Sequence, residues 1–120
     1  MAAAEERVYH FKKSCEQIRT EVGRVIVGQT DVIEGALAGL LAGGHCLLEG
    51  APGLGKTLLV NTIGEAVGLT VSRIQFTPDL MPADITGTQM IAGLPGGGRQ
   101  FEFQRGPIFS HLVCADEINR

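Results

Sequence analysis

Eight consecutive residues, Gly50-Ala51-Pro52-Gly53-Leu54-Gly55-Lys56-Thr57, constrain the fold more than any other part of the chain. They satisfy the phosphate-loop pattern of Gly, four free residues, Gly, Lys, then Ser or Thr. Such a loop works between a strand and a helix. Its glycines let backbone N–H groups turn toward phosphate oxygens, and the helix N-terminus adds unpaired amides and the positive end of its dipole. The flanks supply both elements: His45-Cys46-Leu47-Leu48-Glu49 is a short apolar run of strand type, and helical spacing begins at Leu58. In a loop of this kind Lys56 reaches the β and γ phosphates and the Thr57 hydroxyl ligates Mg²⁺, while Ala51, Pro52, Gly53, Leu54 and Leu58 complete the wrap. A glycine-rich turn that binds nothing is the plainer alternative, but the motif stands in the context it requires. The expectation is a site for ATP with Mg²⁺.

About sixty residues on, Leu112-Val113-Cys114-Ala115-Asp116-Glu117 reads as a buried parallel strand ending in two acids. The carboxyl end of such a strand delivers side chains to the ligand crevice. A phosphate-loop enzyme needs one carboxylate there for hydrated Mg²⁺ and another to orient the attacking water. Asp116 suits the first role and Glu117 the second. The adjacent Glu favours hydrolysis over phosphoryl transfer to a small acceptor, which leaves a small-molecule kinase as the rival enzyme.

The chain resembles the amino-terminal part of a MoxR-family AAA+ ATPase, from about Val22 to Arg120. The residues that carry the likeness are Ile26-Val27-Gly28-Gln29, Gly43-Gly44-His45, the phosphate loop, Gln75-Phe76-Thr77-Pro78-Asp79-Leu80, Asp84-Ile85-Thr86-Gly87-Thr88, Phe101-Glu102-Phe103, Gly106-Pro107-Ile108-Phe109 and Ala115-Asp116-Glu117-Ile118-Asn119-Arg120. The resemblance implies an α/β fold, a three-layer P-loop NTPase core with parallel strands. The chain would hold it incompletely, as an N-terminal amphipathic helix over residues 1–25 and a partial ATPase core over 26–120 running from Walker A to Walker B. Sensor residues, arginine finger and helical lid lie outside these motifs, as do two strands that would flank residues 45–49. The expectation is therefore a fragment of a longer protein, nearly inactive alone, or a nucleotide-binding fragment without catalysis. The resemblance also implies adenine contacts from Ile26, Val27 and Gly28. It further implies a homo-oligomeric ring, a hexamer, that remodels client proteins beside a von Willebrand factor A domain partner.

Composition narrows the function classes. A net charge of −3, with scattered basic residues, argues against nonspecific nucleic-acid binding. The acidic start, Met1-Ala2-Ala3-Ala4-Glu5-Glu6-Arg7, lacks the basic and apolar regions of a signal peptide, and the apolar stretch 36–48 is too short to span a membrane. A cytoplasmic protein is expected, with Cys15, Cys46 and Cys114 as buried free thiols. His10, His45 and His111 stand apart from one another and read as structural or solvated.

The remaining elements follow from spacing. Val8, Phe11, Cys15, Ile18, Val22 and Val25 make one apolar stripe on a helix over 5–24, read as packing on its own domain, with a partner-binding coiled coil as the alternative. A second helix, capped at Thr30 or Asp31, runs to 42 and stops at Gly43-Gly44; a third runs to 67 and stops at Gly68. Residues 71–76 read as a strand, with Gln75 near its end read as a simple solvated or hydrogen-bonding side chain; a positional match to the polar switch of related ATPases is the alternative. Residues 78–82 read as a turn, with Asp79 and Asp84 as capping groups. Two β-rich runs, 86–92 and 99–104, joined by the glycine-rich 93–98, form a hairpin whose Phe101 and Phe103 share a face. The resemblance implies that this hairpin is an insertion projecting toward pore or client; a ribbon packed on its own core is the alternative.

Overall fold

A computed structural model describes residues 1–50 and 55–120, which divide into a unit Met1–Leu69 and a unit Thr70–Arg120. The apolar stripe foreseen near the N-terminus lies on helix α1 (Ala2–Val25). Only its middle, from Cys15 to Val22, is buried. Cys15 and Val22 are enclosed and Ile18 packs against the core, whereas Val8, Phe11 and Val25 are exposed. Helices α2 (Thr30–Leu41) and α3 (Lys56–Val67) complete the first unit. Val22, Ile26, Ile33, Leu37, Leu59 and Ile63 form its core, with Ala36, Leu40 and Leu48 packed around them. Spacings of three and four along α2 and α3 put these side chains on single faces, which is why they meet. Arg19 and Glu34 add an exposed ion pair between α1 and α2.

Glycine ends two of these helices as their positions in the sequence required. Gly43 and Gly68 take φ of 68° and 71°. The following residues return their N–H groups into the last turn, Gly44 to the Gly39 carbonyl and Leu69 to the Gly64 carbonyl, each at 2.9 Å.

The expected strand at 45–49 is not formed: the segment is irregular, and none of the described strands pairs with it. An apolar run becomes a strand only where a neighbour completes its hydrogen-bond ladder. Here it leans on α2 instead. Cys46 Sγ sits against Gly35 and Gly39, and Leu48 reaches the core. Cys46 is consequently exposed, which corrects the expectation of three buried thiols; Cys15 is buried and Cys114 half-buried.

In the second unit, β1 (Val71–Gln75) and β4 (Leu112–Asp116) pair in parallel, with Val71 opposite Leu112 and Gln75 opposite Asp116. His111 ties the entry of this pair: its Nδ1 accepts from the Thr70 backbone N–H at 3.1 Å, and its own N–H donates to Thr70 Oγ1 at 3.2 Å. The residue is structural, as expected. Between these strands the chain makes a short helix, α4 (Pro82–Thr86), and an antiparallel hairpin, β2 (Gly87–Gly93) with β3 (Arg99–Arg105). The sequence places Pro82 in a turn and Thr86 at the start of the first hairpin run, so the helix between them is not expected from it. Pro82 presets its first φ, and the Asp84 carboxylate accepts the Met81 N–H at 2.9 Å. Asp84 therefore caps, as anticipated.

Register places Ile91 opposite Phe101 and Gln89 opposite Phe103. Phe103 meets Phe109 edge-on at 6.2 Å, while Phe101 is 74% exposed. The hairpin closes at its base through the Gly-Pro-Ile-Phe segment, where Gly106 N–H reaches Thr86 and Ile108 N–H reaches Ile85. Gly87 and Gly106 are obligatory at this crossing, because a Cβ on either would lie within 2.3 Å of a carbonyl oxygen.

Candidate functional site

The phosphate-loop half of the site belongs to the first unit. Ala51, Pro52, Gly53 and Leu54 lie outside the described residues; Gly50, Gly55, Lys56, Thr57 and Leu58 lie within them. Gly55 adopts a left-handed φ of 74°, a conformation that only glycine takes at little cost, and α3 starts at the next residue. The lysine and threonine of the motif thus occupy the first turn of a helix, where amides lack intrahelical partners. Lys56 Nζ donates to the Gly50 carbonyl at 3.0 Å, so the ammonium is folded back over the loop. Leu58 is half exposed, and Leu59 behind it is fully enclosed, anchoring the helix start in the core.

Beside the loop lies a groove of about 680 Å³, lined among others by Gln29, Val32, Ala36, Leu48, Glu49 and Lys56. That volume falls among small-molecule sites. The family resemblance implies adenine contacts from Ile26, Val27 and Gly28. The structure gives the Ile26 side chain a different job, since it is 7% exposed and part of the core. Val27, at 83%, is open to solvent, and Gly28 turns the chain at a φ of 79°. Gln29, which the sequence reading passed over, is the member of this turn that lines the groove.

The acidic half belongs to the second unit. Asp116 is the last residue of β4, and Glu117 follows directly. Its φ of 54° makes Glu117 the one non-glycine residue with a left-handed backbone among those described. A turn brings the Arg120 N–H back to the Glu117 carbonyl at 3.1 Å, and Arg120 Nε lies 3.5 Å from Glu117 Oε2. Gln75 sits opposite Asp116 in the parallel register, one residue from Glu117. Asp116 has a partner no motif announced: Arg73 of β1 donates to its Oδ2 from Nε at 3.0 Å and from Nη2 at 2.5 Å. Period-two alternation points Arg73, Gln75, Cys114 and Asp116 to one face of the strand pair. Burial pushes the Cys114 thiol pKa up, Asp116 adds to the rise, and Arg73 opposes it.

The donors suit Mg²⁺. A hydroxyl on Thr57 and a carboxylate on Asp116 are hard oxygen ligands, and no group of three or more His, Cys, Asp or Glu gathers among the described residues. Mg²⁺ is commonly bound by one or two side-chain oxygens of these kinds, with phosphate and water completing the shell. No helix among the described residues is long and apolar enough to cross a membrane.

Known proteins match both halves. The ATPase family associated with various cellular activities (AAA) matches residues 45–120. Chaperone MoxR1 of Mycobacterium tuberculosis is 52% identical over 100 residues, covering 83% of this chain and 26% of that protein. Protein MoxR of Paracoccus denitrificans is 38% identical over 101 residues, 80% of this chain and 29% of its own length. A crystal structure of a candidate ATPase from Cytophaga hutchinsonii superposes with a TM-score of 0.79 at 44% identity, covering 93% of this chain and 33% of that one. The chain thus spans about a quarter to a third of the length of these relatives. With a family match over residues 45–120 and identity above half to a MoxR chaperone, the chain belongs to the MoxR family of AAA+ ATPases.

Proposed function

We propose that this chain supplies the ATP-binding and water-activating residues of a MoxR-like chaperone, which hydrolyses ATP by in-line attack of water on the γ-phosphorus. The observation that carries the reading is the start of α3 at Lys56, directly after a left-handed Gly55 and with Nζ turned back on Gly50. Lys56 exchanges that carbonyl for β- and γ-phosphate oxygens when nucleotide enters. Thr57 and Asp116 would hold Mg²⁺, which would supply positive charge against the negative charge that develops on the phosphate oxygens. Glu117 orients the attacking water and accepts its proton. Val27 and the backbone at Gly28 flank the adenine, Gln29 borders the groove beside it, and Gln75 restrains Glu117 between turnovers.

At the level of the whole protein, the proposal extends to work on client proteins; a homo-oligomeric ring, a hexamer, beside a von Willebrand factor A domain partner is what the family resemblance implies for it. The chaperone description of one relative motivates the client-protein part of the proposal. The test uses the full-length protein. Glu117→Gln should leave ATP affinity within a few-fold of the parent and lower phosphate release by about 100-fold or more. Lys56→Ala should lose the affinity itself. Turnover that persists in Glu117→Gln removes Glu117 from its role.

A further inference from the structure

From the Arg73–Asp116 contact we infer that Arg73 is a positioning residue for the metal carboxylate, an inference that rests on the ATPase reading above. Both Arg73 donors converge on one oxygen, Oδ2, at 3.0 and 2.5 Å. The other oxygen, Oδ1, has no hydrogen bond among the described residues. Two N–H groups on one oxygen restrict the carboxylate's terminal torsion and leave its second oxygen available to a cation. The planar guanidinium does this better than a lysine ammonium, which offers a point charge without a fork.

Position supports the assignment. Arg73 lies opposite Cys114, and Asp116 opposite Gln75, so the contact runs diagonally across two parallel strands on one face. The Asp116 side chain is 23% exposed against 48% for Arg73, so the acid is the more enclosed partner and the arginine reaches over it. Arg73 touches neither nucleotide nor water in this scheme. It acts through Asp116, as the outer partners of metal ligands commonly do, and their loss typically costs about 10–100-fold in metal affinity.

The experiment titrates Mg²⁺ against ATP binding in full-length protein silenced by Glu117→Gln, so that affinity is read without turnover. Arg73→Gln should raise the Mg²⁺ midpoint about 10–100-fold while ATP affinity in EDTA stays within about two-fold. Arg73→Lys should raise it less. A midpoint that is unchanged or lower in Arg73→Gln overturns the inference; a lower one means that the arginine competes with the cation. Should Arg73→Gln fail to fold, Arg73→Lys decides, with a raised midpoint supporting the role and an unchanged one refuting it. Asp116→Asn separates the two levels. If it shifts the midpoint and Arg73→Gln does not, only the arginine's role falls. If neither moves it, the ATPase site itself is misassigned.

Discussion

Single residues hold the chemistry in conformations that cost something. A left-handed non-glycine backbone costs about 1–3 kcal/mol and persists where its surroundings enforce it. Glu117 at φ 54° carries that cost at the position read as the water-orienting base. The three thiols differ in a measurable way. Cys46 is exposed, Cys15 buried, and the Cys114 thiol is shifted above its ordinary value of 9.0 by burial first and Asp116 second. Alkylation by iodoacetamide, followed by peptide mass spectrometry at pH 8, should label Cys46 first and Cys114 more slowly. Folded Cys114 keeps its proton at a pH where the unfolded chain has lost it. Its contribution to stability is therefore full below the ordinary thiol pKa and disappears as pH rises through the folded value, so denaturant midpoints should fall in that alkaline window. Cys114→Ser should flatten the fall.

Elements show which local signals were sufficient. The glycine stops at 43 and 68, the amphipathic spacing of α1 to α3 and the hairpin around 93–98 were all legible, because each is dictated within a few residues. The run at 45–49 was not, because a strand is a pairing and the sequence does not state its partner. Helix α4 was hidden by its length, five residues that propensity cannot separate from a turn. Packing gives this scale its predictions. Leu59 is 2% exposed at the start of α3, and Leu59→Ala should destabilise by about 2–5 kcal/mol in urea unfolding. Gly39→Ala would place a methyl on Cys46 Sγ, so it should displace the 45–50 segment and weaken ATP binding more than helicity. A Gly106→Ala change meets the Ile85 carbonyl and should open the hairpin base, seen as faster amide exchange at Ile108.

For the whole molecule, the proposed function draws on both units, the phosphate loop in the first and the acid pair in the second. If they serve one reaction, Lys56→Ala and Asp116→Asn should be strongly non-additive in phosphate release, the double variant being little worse than either alone. Saturation with ATP and Mg²⁺ at a hundred times Kd should stabilise the full-length protein by about 2.7 kcal/mol, read as a rise in Tm that Lys56→Ala abolishes.

What the sequence determined by itself were the features written locally: the loop and the helix that follows it, the acid pair ending an apolar run, the glycine stops and the membership those motifs signalled. Tertiary structure alone decided matters that depend on residues far apart in the chain. It sent the Ile26 side chain into the core, left half of the α1 stripe in solvent, and set Cys46 against two α2 glycines. It also joined Arg73 to Asp116 across 43 positions of sequence. The physical reason is common to all four. Period and spacing report which face a side chain occupies, but the neighbour that meets that face is chosen by strand register and core packing.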